Sequence, residues 1–210
     1  MSIPAEVPGR SGRETSIARV LSACRRALYE REVHDLCEAD CTVGLPGFDP
    51  VMPVEIRTAA LADLPRLAEV APPHKLSQFR ERLARGEICS MALSAGRVAS
   101  YVWITPHDHF DPWFRTTIPT GRDSCVGYDA YTDPDFRRLG VRKLMHLDER
   151  RRVVASGRRR LIFWLERGVS DRAMLSWQAL GLRQRLVGTI ISRRFFRRIV
   201  FTTIRRYSDP

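Results

Sequence analysis

The sequence contains no long apolar run. None of its apolar stretches approaches the roughly 20 residues that a membrane-spanning helix needs. The opening segment MSIPAEVPGRSGR also lacks the apolar core of a secretory signal peptide. These absences argue against a helical membrane protein and against a secreted one, and they predict a cytoplasmic protein.

The sequence also has few cysteines, and their spacing matches no disulfide or zinc framework. There are five, an odd number, and the Cys37-x-x-x-Cys41 pair has no second pair with which to complete a zinc site. We therefore expect reduced, structural thiols. The histidines and aspartates between His107 and Asp111 lie close together in sequence, but such neighbours rarely converge on one ion. No metal is predicted.

Acidic residues are outnumbered by basic ones. The chain of 210 residues has 35 lysines and arginines against 24 acidic residues, a net charge of +11 and an isoelectric point near 10.3. Such a charge attracts an acidic partner: a nucleotide-bearing cofactor, nucleic acid, an acidic carrier protein or anionic lipid. The excess is concentrated after Arg183, where the turn 193–198 is basic and aromatic. We favour solvated arginines there; contact with a membrane surface or nucleic acid is the alternative.

The length and the hydrophobic content of 44% allow one well-buried core plus an appendage. Ser11 and Glu14 have the spacing of a capping box, and an apolar helical stripe follows to about Arg31. This helix needs a surface, either on the main domain or in a homodimer. A loop rich in glycine and proline comes next. We therefore divide the chain into an N-terminal helix and linker, 1–52, and a main domain, 53–210.

The front half of the main domain has the pattern of a strand, two helices and a hairpin. These elements are Val54–Arg57, a helix ending near Val70, a helix with Leu76, Phe79 and Leu83 on its inner face, and the strands Ile88–Ser94 and Arg97–Ile104. A long loop, 105–123, follows. Its three aromatic residues are costly to leave in water, so we expect an ordered flap over the substrate site.

The most informative stretch runs from Cys125 to Ser156. Residues 125–132 alternate with a period of two and suit a strand. Pro134 ends this strand, because proline has no N–H to donate to a sheet. Gly140 lets the next turn approach a partner closely, and a basic amphipathic helix begins at about Val141.

The junction between this turn and the helix predicts an anion site. The first turn of a helix carries unpaired N–H groups and a partial positive charge that faces the preceding loop. Arg137, Arg138 and Arg142 add fixed positive charge around Gly140, so a pyrophosphate group is the ligand that we expect. An ordinary strand-to-helix turn with solvated arginines is the alternative.

The segment Arg137-Arg138-Leu139-Gly140-Val141-Arg142 resembles the R-x-x-G-x-G/A turn of the GNAT superfamily of acyl-CoA-dependent N-acyltransferases. The order of elements resembles that family over about residues 54–206. The resemblance implies an α/β (α+β) fold with a mixed, mostly antiparallel central sheet of about seven strands flanked by helices, to which this chain adds its N-terminal helix. It also implies acetyl-CoA, or another acyl-CoA, as the co-substrate.

The same resemblance assigns roles to individual residues. The preceding strand would hold the pantetheine arm through the main chain of Ala130, Tyr131 and Thr132. The turn would hold the pyrophosphate, and its residues are Arg137, Arg138, Leu139, Gly140, Val141 and Arg142. Ser170, which caps a predicted helix through Leu180, stands where the family has an asparagine, and it too is assigned to the cofactor.

Two positions depart from the family pattern. Arg142 stands where members have glycine or alanine, so it either crowds the pyrophosphate or adds a phosphate contact. Trp177 stands where many members have a tyrosine that protonates the leaving thiolate. An indole cannot act as that acid, so we expect Trp177 to be a wall or core residue.

The predicted activity is transfer of an acyl group, in the expected case acetyl, to a primary amine of a small molecule or sugar by direct attack. An alkylammonium must lose a proton before it attacks, and Asp129, an acid inside an otherwise uncharged strand, is the candidate proton acceptor. A structural pair between Asp129 and an arginine is the other interpretation. A non-catalytic module that binds acyl-CoA, or a basic nucleic-acid-binding module, is the alternative function.

Overall fold

A computed structural model describes residues 28–179, 181–196 and 198–207. Within them, one large sheet forms the centre of the protein. Its strands are β1 (Tyr29–Asp40), β2 (Glu55–Thr58), β3 (Ile88–Ser94), β4 (Arg97–Thr105), β7 (Ser124–Thr132), β8 (Arg160–Glu166), β9 (Gln184–Phe195) and β10 (Ile199–Arg206), while β5 (His109–Asp111) and β6 (Thr116–Ile118) form a separate hairpin. The helices are α1 (Leu64–Ala68), α2 (Pro73–Ala84), α3 (Val141–Ala155) and α4 (Ser170–Gln178).

The strand order across the sheet is β10-β9-β1-β8-β7-β4-β3-β2. Every neighbouring pair is antiparallel except β7 and β8, which are parallel and are connected by α3. The predicted mixed, mostly antiparallel sheet is therefore confirmed, with eight strands in place of about seven. None of the described helices is long and apolar enough to cross a bilayer.

Helices cover both faces of the sheet. On one face, Phe79 of α2 packs against Tyr101 and Trp103 of β4. On the other face, Met145 of α3 belongs to the cluster that contains Val102 of the same strand. Because successive side chains of a strand point to opposite faces, the nearly continuous apolar sequence of β4 is what a strand covered on both sides needs.

Strand β1 corrects the expectation for the N-terminal part. The predicted helix lies mostly outside the described residues, but its last residues are wrong, because residues 29–40 form a strand in the middle of the sheet. The loop rich in glycine and proline lies after this strand, and residues 44–53 contain no helix or strand. The strand pairs with β8 on one side and β9 on the other. Its many charges disguise it in the sequence. They are tolerated because Arg167 and Ser170 bind Asp35, and Arg185 binds Glu38.

The sheet opens between β7 and β8. These strands pair only as far as Val126 and Ile162, although both continue, paired with their outer neighbours β4 and β1. Beyond the opening, β7 contains a bulge, since Asp129 and Ala130 together lie opposite Val102 of β4. Asp129 has a φ of +48° there. Bulges bend a strand and increase its twist, so the bulge helps to part β7 from β8.

The predicted flap is the β5–β6 hairpin, and it is ordered by contacts with the far end of the sheet. The Nε1 of Trp113 donates to Glu32 of β1 at 2.7 Å. Arg194 of β9 lies over the Trp113 ring at 3.4 Å and donates to its carbonyl oxygen. Thr202 of β10 donates to the carbonyl oxygen of Phe114. Arg194, which belongs to the basic and aromatic stretch 193–198, therefore helps to hold the flap in place.

Candidate functional site

Two cavities adjoin the opening in the sheet. The first, which we call the central cavity, has a volume of ≈ 830 Å³ and lies between the flap, α2 and the parted ends of β7 and β8. Its walls are rich in aromatic rings, with a smaller number of charged groups among them. The polar, charged and aromatic side chains of its lining include His34, Lys75, Arg82, His109, Asp111, Tyr128, Asp129, Arg142, Glu149, Trp164 and Trp177.

The second, which we call the turn cavity, has a volume of ≈ 720 Å³ and lies over the turn between β7 and α3. Most of the residues predicted to bind the cofactor line it: Ala130, Tyr131, Thr132, Arg137, Arg138, Gly140, Val141 and Arg142. Lys143 and the ring of Phe48 line it as well. The structure thus brings eight of the ten predicted cofactor residues to one cavity.

Leu139 and Ser170 are the two that do not line this cavity. The side chain of Leu139 packs into the core beside α3, and its carbonyl oxygen accepts the N–H of Val51. Ser170 is buried and donates its hydroxyl to Asp35 of β1 at 2.6 Å. In the structure, Ser170 therefore joins α4 to β1. The sequence did not indicate this contact, because β1 was not predicted as a strand.

The two cavities share part of their walls. Ala130, Arg142, Ala173 and Trp177 line both of them. The shared wall lies at the opening between β7 and β8, where β7 no longer donates to a neighbour on that side. On that side, the main chain of Ala130 has no partner among the described strands and is available to an extended ligand that passes from one cavity to the other. The carbonyl oxygens of Tyr131 and Thr132 already accept from Ser100 and Arg137.

The turn cavity has the donors that an anion needs. Gly140 precedes α3 with a φ of +83°, and Leu144 is the first residue whose N–H bonds back to the Gly140 carbonyl oxygen. The N–H groups of residues 141–143 consequently have no partner inside the helix. Arg138, at a φ of +64°, and Lys143 add charge beside them. A pyrophosphate fits this donor set.

Arg142, the departure from the family pattern, turns inward. Its guanidinium donates to Glu149, which is 1% exposed and lies under Gly127 of β7. His146 also contacts Glu149, at 3.3 Å from Nδ1, and its Nε2 lies 3.5 Å from the Arg150 guanidinium. Burial alone would raise the pKa of Glu149, but Arg142 and His146 outweigh it and lower that pKa. Burial lowers the pKa of His146, so we infer that its ring is neutral and that Nδ1 donates to Glu149.

Sequence patterns did not indicate Glu149 or His146 as site residues. On a basic helix, a glutamate between two charged residues, here Asp148 and Arg150, is typical of a solvated face. One signal was present: Gly127 on β7, where a side chain would meet both Leu161 and Glu149. A glycine inside a strand marks a close approach, and here α3 approaches.

Trp177 is the wall residue that we expected. It is 5% exposed, it stacks on His146 with ring centroids 4.3 Å apart, and it packs edge-on against Phe163. The indole has no proton of suitable acidity for a thiolate, so its contribution at the shared wall is shape and apolar surface.

Asp129 makes the ion pair that the structural interpretation requires. One carboxylate oxygen accepts from Lys75 and the other accepts from Arg82 at 2.7 Å. Arg82 is itself 8% exposed, and its guanidinium lies over the rings of Tyr128 and Trp103. Asp129 faces the central cavity, so the structure leaves its predicted catalytic role open to test.

No protein-family model matches the chain, and no curated protein matches it by sequence. Solved structures match it by fold. A GCN5-related glucosamine N-acetyltransferase region of a fungal multi-domain β-N-acetylglucosaminidase aligns with 90% of this chain and 24% of its own, at 12% identity and a TM-score of 0.54. A Drosophila protein aligns with 86% of this chain and 57% of its own, at 13% identity and a TM-score of 0.52.

The chain therefore has the fold of the GNAT superfamily, and the predicted resemblance is confirmed at the level of fold. It spans 57% and 24% of the lengths of these two structures. Sequence identities of 12% and 13% support a shared fold but do not establish a shared reaction. What the chain acts on has to be argued from its own residues.

Proposed function

We propose that this chain is an N-acyltransferase that moves an acyl group, in the expected case acetyl, from acyl-CoA to the primary amine of a small molecule or sugar. One observation carries the proposal: a cavity at a basic helix N-terminus meets an aromatic cavity at the opening between β7 and β8, along a shared wall. Such a site can hold a phosphate-bearing donor and an acceptor in line.

In this proposal the turn cavity receives the nucleotide end of the donor. The N–H groups of residues 141–143, together with Arg137, Arg138 and Lys143, would hold its phosphates. The main chain of Ala130–Thr132 would hold the pantetheine arm, as the family resemblance implies. Bound acyl-CoA supplies a thioester; the amine forms the new C–N bond, the C–S bond breaks, and the thiolate takes up a proton.

The central cavity receives the acceptor in this proposal. An alkylammonium must first lose a proton, and Asp129 remains the predicted proton acceptor. Because Lys75 and Arg82 occupy its oxygens, Asp129 would have to loosen one of these contacts as it takes the proton. Trp177 cannot protonate the thiolate, so solvent or another group supplies that proton.

The first test is binding of the donor. We expect acetyl-CoA at 100 times its dissociation constant to stabilise the protein by about 2.7 kcal/mol, which raises the thermal midpoint measurably. Acetyl-pantetheine, which lacks the phosphates of CoA, should raise it far less. Lys143→Gln should weaken the acetyl-CoA effect, whereas Arg151→Gln, on an exposed part of the same helix, should leave it unchanged.

The second test is turnover. Release of free thiol from acetyl-CoA in the presence of amino sugars, amino acids or polyamines identifies the enzyme. A protein that is stabilised by acetyl-CoA but releases no thiol with any amine is a binding module instead, which is the alternative that Trp177 favours. No stabilisation at millimolar acetyl-CoA would exclude both.

A further inference from the structure

One corner of the central cavity contains two polar side-chain atoms that have no hydrogen-bond partner among the described residues. The first belongs to Asp111, at the end of β5 in the flap. Its Oδ1 accepts the N–H groups of Trp113 and Phe114 at 2.8 and 2.9 Å, which fixes the carboxylate in one orientation. Among the described residues, its Oδ2 has no hydrogen-bond donor. Asp111 makes no ion pair with an arginine or lysine there either.

The second atom is the Nε2 of His109, two residues earlier on the same strand, which is an acceptor when the neutral ring carries its proton on Nδ1. The residue is 9% exposed, and Nε2 is buried without a hydrogen-bond partner among the described residues. Its ring is held by stacking, with centroids 3.8 Å from that of Tyr128 and 5.9 Å from that of Trp164.

The spacing of these two atoms allows a third group to bond to both of them. His109 Nε2 lies 3.9 Å from Asp111 Oδ2. That distance is too long for a hydrogen bond, which needs about 2.7 to 3.2 Å. It is short enough for one small donor group to lie between the two atoms and bond to both.

The charges around the corner favour a cation as that group. Burial, then the Arg82 charge, lowers the pKa of His109 to about 4, so the ring is neutral near pH 7 and cannot neutralise Asp111. Two arginine charges act on the ring, and both are paired with carboxylates: Arg82 donates to Asp129, and Arg85 donates to Glu87. On the β1 side, His34 has a buried Nδ1 without a partner among the described residues, and the charges around it are the carboxylates Glu32, Asp35, Asp111 and Glu166.

We propose that Asp111 Oδ2 and His109 Nε2 bind the ammonium group of the acceptor, which is a cationic primary amine on an apolar body. Burial raises the pKa of the Asp111 carboxyl, so its charged form needs a counter-ion to be stable there. Water could bond to both atoms, but it supplies no counter-ion. An ammonium provides the donors and the charge together. The inference rests on the proposed function only in calling this ligand the acceptor.

Direct binding tests the site without acyl-CoA. Benzylamine and benzyl alcohol have similar shapes and differ in charge, and binding of each can be measured by calorimetry. We expect the full chain to prefer benzylamine. Asp111→Asn keeps an oxygen for the two N–H groups but loses the charge, so it should weaken benzylamine binding at least about tenfold and leave benzyl alcohol unchanged. Asp108→Asn, on the same loop but outside the central cavity, is the matched control and should bind both normally.

A second variant protects the test against misfolding. His109→Phe retains a stacked ring and removes Nε2, so it should also weaken benzylamine binding selectively. Equal affinity of the unmodified chain for both probes, or unchanged benzylamine affinity in folded Asp111→Asn or His109→Phe, would overturn the ammonium site. Charge-selective binding through Asp111 without thiol release from acetyl-CoA would keep this site and overturn the transfer reaction, so the two failures are distinct.

Discussion

Asp129 combines an uncommon backbone conformation with two ion pairs. A φ of +48° is costly for most side chains, but asparagine and aspartate tolerate it better than others. The bulge therefore selects the residue type at this position, and the carboxylate then holds Lys75 of α2 and the nearly buried Arg82 against the opening in the sheet. One residue thus links the shape of β7 to the position of α2.

We expect Asp129→Asn to lower the free energy of unfolding by about 3 kcal/mol, because the variant keeps the backbone conformation but leaves Arg82 buried without a counter-ion. Denaturant unfolding measures this loss. Asp135→Asn is the control: its pair with Arg97 is exposed on both sides, so its removal should cost little.

The same variant decides whether Asp129 is the proton acceptor. That role predicts a fall of about 10² to 10⁴ in turnover per folded molecule, with part of the loss recovered at higher pH. Full activity of the folded fraction would instead leave Asp129 with a structural function alone.

At the scale of elements, the junction of β7 and α3 depends on Gly140. Its φ of +83° lies in the left-handed region, and a Cβ there would lie 2.8 Å from Cζ of Phe48. The segment before β2 thus packs its Phe48 ring against the turn, and Val51 bonds to the carbonyl oxygen of Leu139. Two parts of the chain that are far apart in sequence meet at the predicted phosphate site.

A matched pair of glycine variants separates the cost of the left-handed backbone conformation at this junction from the cost of the contact with Phe48. Gly157, after the end of α3, has a φ of +77°, but a Cβ added there would meet nothing within 4 Å, so Gly157→Ala should lose only the backbone cost of about 1 to 2 kcal/mol. Gly140→Ala should lose more, because the Phe48 ring must also shift. We expect Phe48→Leu in the Gly140→Ala background to recover part of the difference. Equal losses in the two single variants would show that the Phe48 contact is unimportant.

At the scale of the whole molecule, β1 holds the two halves of the sheet together. It lies between β8, which belongs to the cavity-bearing half, and the β9–β10 hairpin. The flap reinforces this connection, since Trp113 and Phe114 bond to β1, β9 and β10. The β9–β10 hairpin is therefore connected to the opening in the sheet both through β1 and through the flap.

A chain of residues 53–210 should consequently fail to fold as a soluble monomer. Without β1, the edges of β8 and β9 lose their hydrogen-bond partners, and unpaired edges promote aggregation. Gel filtration and circular dichroism of this fragment and of the full chain make the comparison. A folded, monomeric fragment would show that β1 is an addition to a domain complete without it.

The turn between β7 and α3 could be predicted from sequence because the residues that form it are contiguous. The alternation of residues 125–132, the stop at Pro134, the glycine at 140 and the basic helix after it act through neighbours along the chain, and the structure places them as expected. The continuous apolar run of residues 161–165 is likewise typical of a strand covered on both faces, and the structure has β8 there. Local stereochemistry and periodicity were sufficient there.

Only the tertiary structure decided the rest. β1 has a charged sequence that becomes a central strand because Arg167 and Arg185, over 130 residues further along, bind Asp35 and Glu38. Arg142 and Glu149 lie on one helix, and His109 and Asp111 lie on one strand, but distant segments bury each pair. Gly127 of β7 packs beside Glu149, and the rings of Tyr128 and Trp164 pack against His109. Ion pairs and buried acceptors between distant segments leave no periodic pattern in a sequence, since their energy arises only when the fold brings the segments together and removes water from between them.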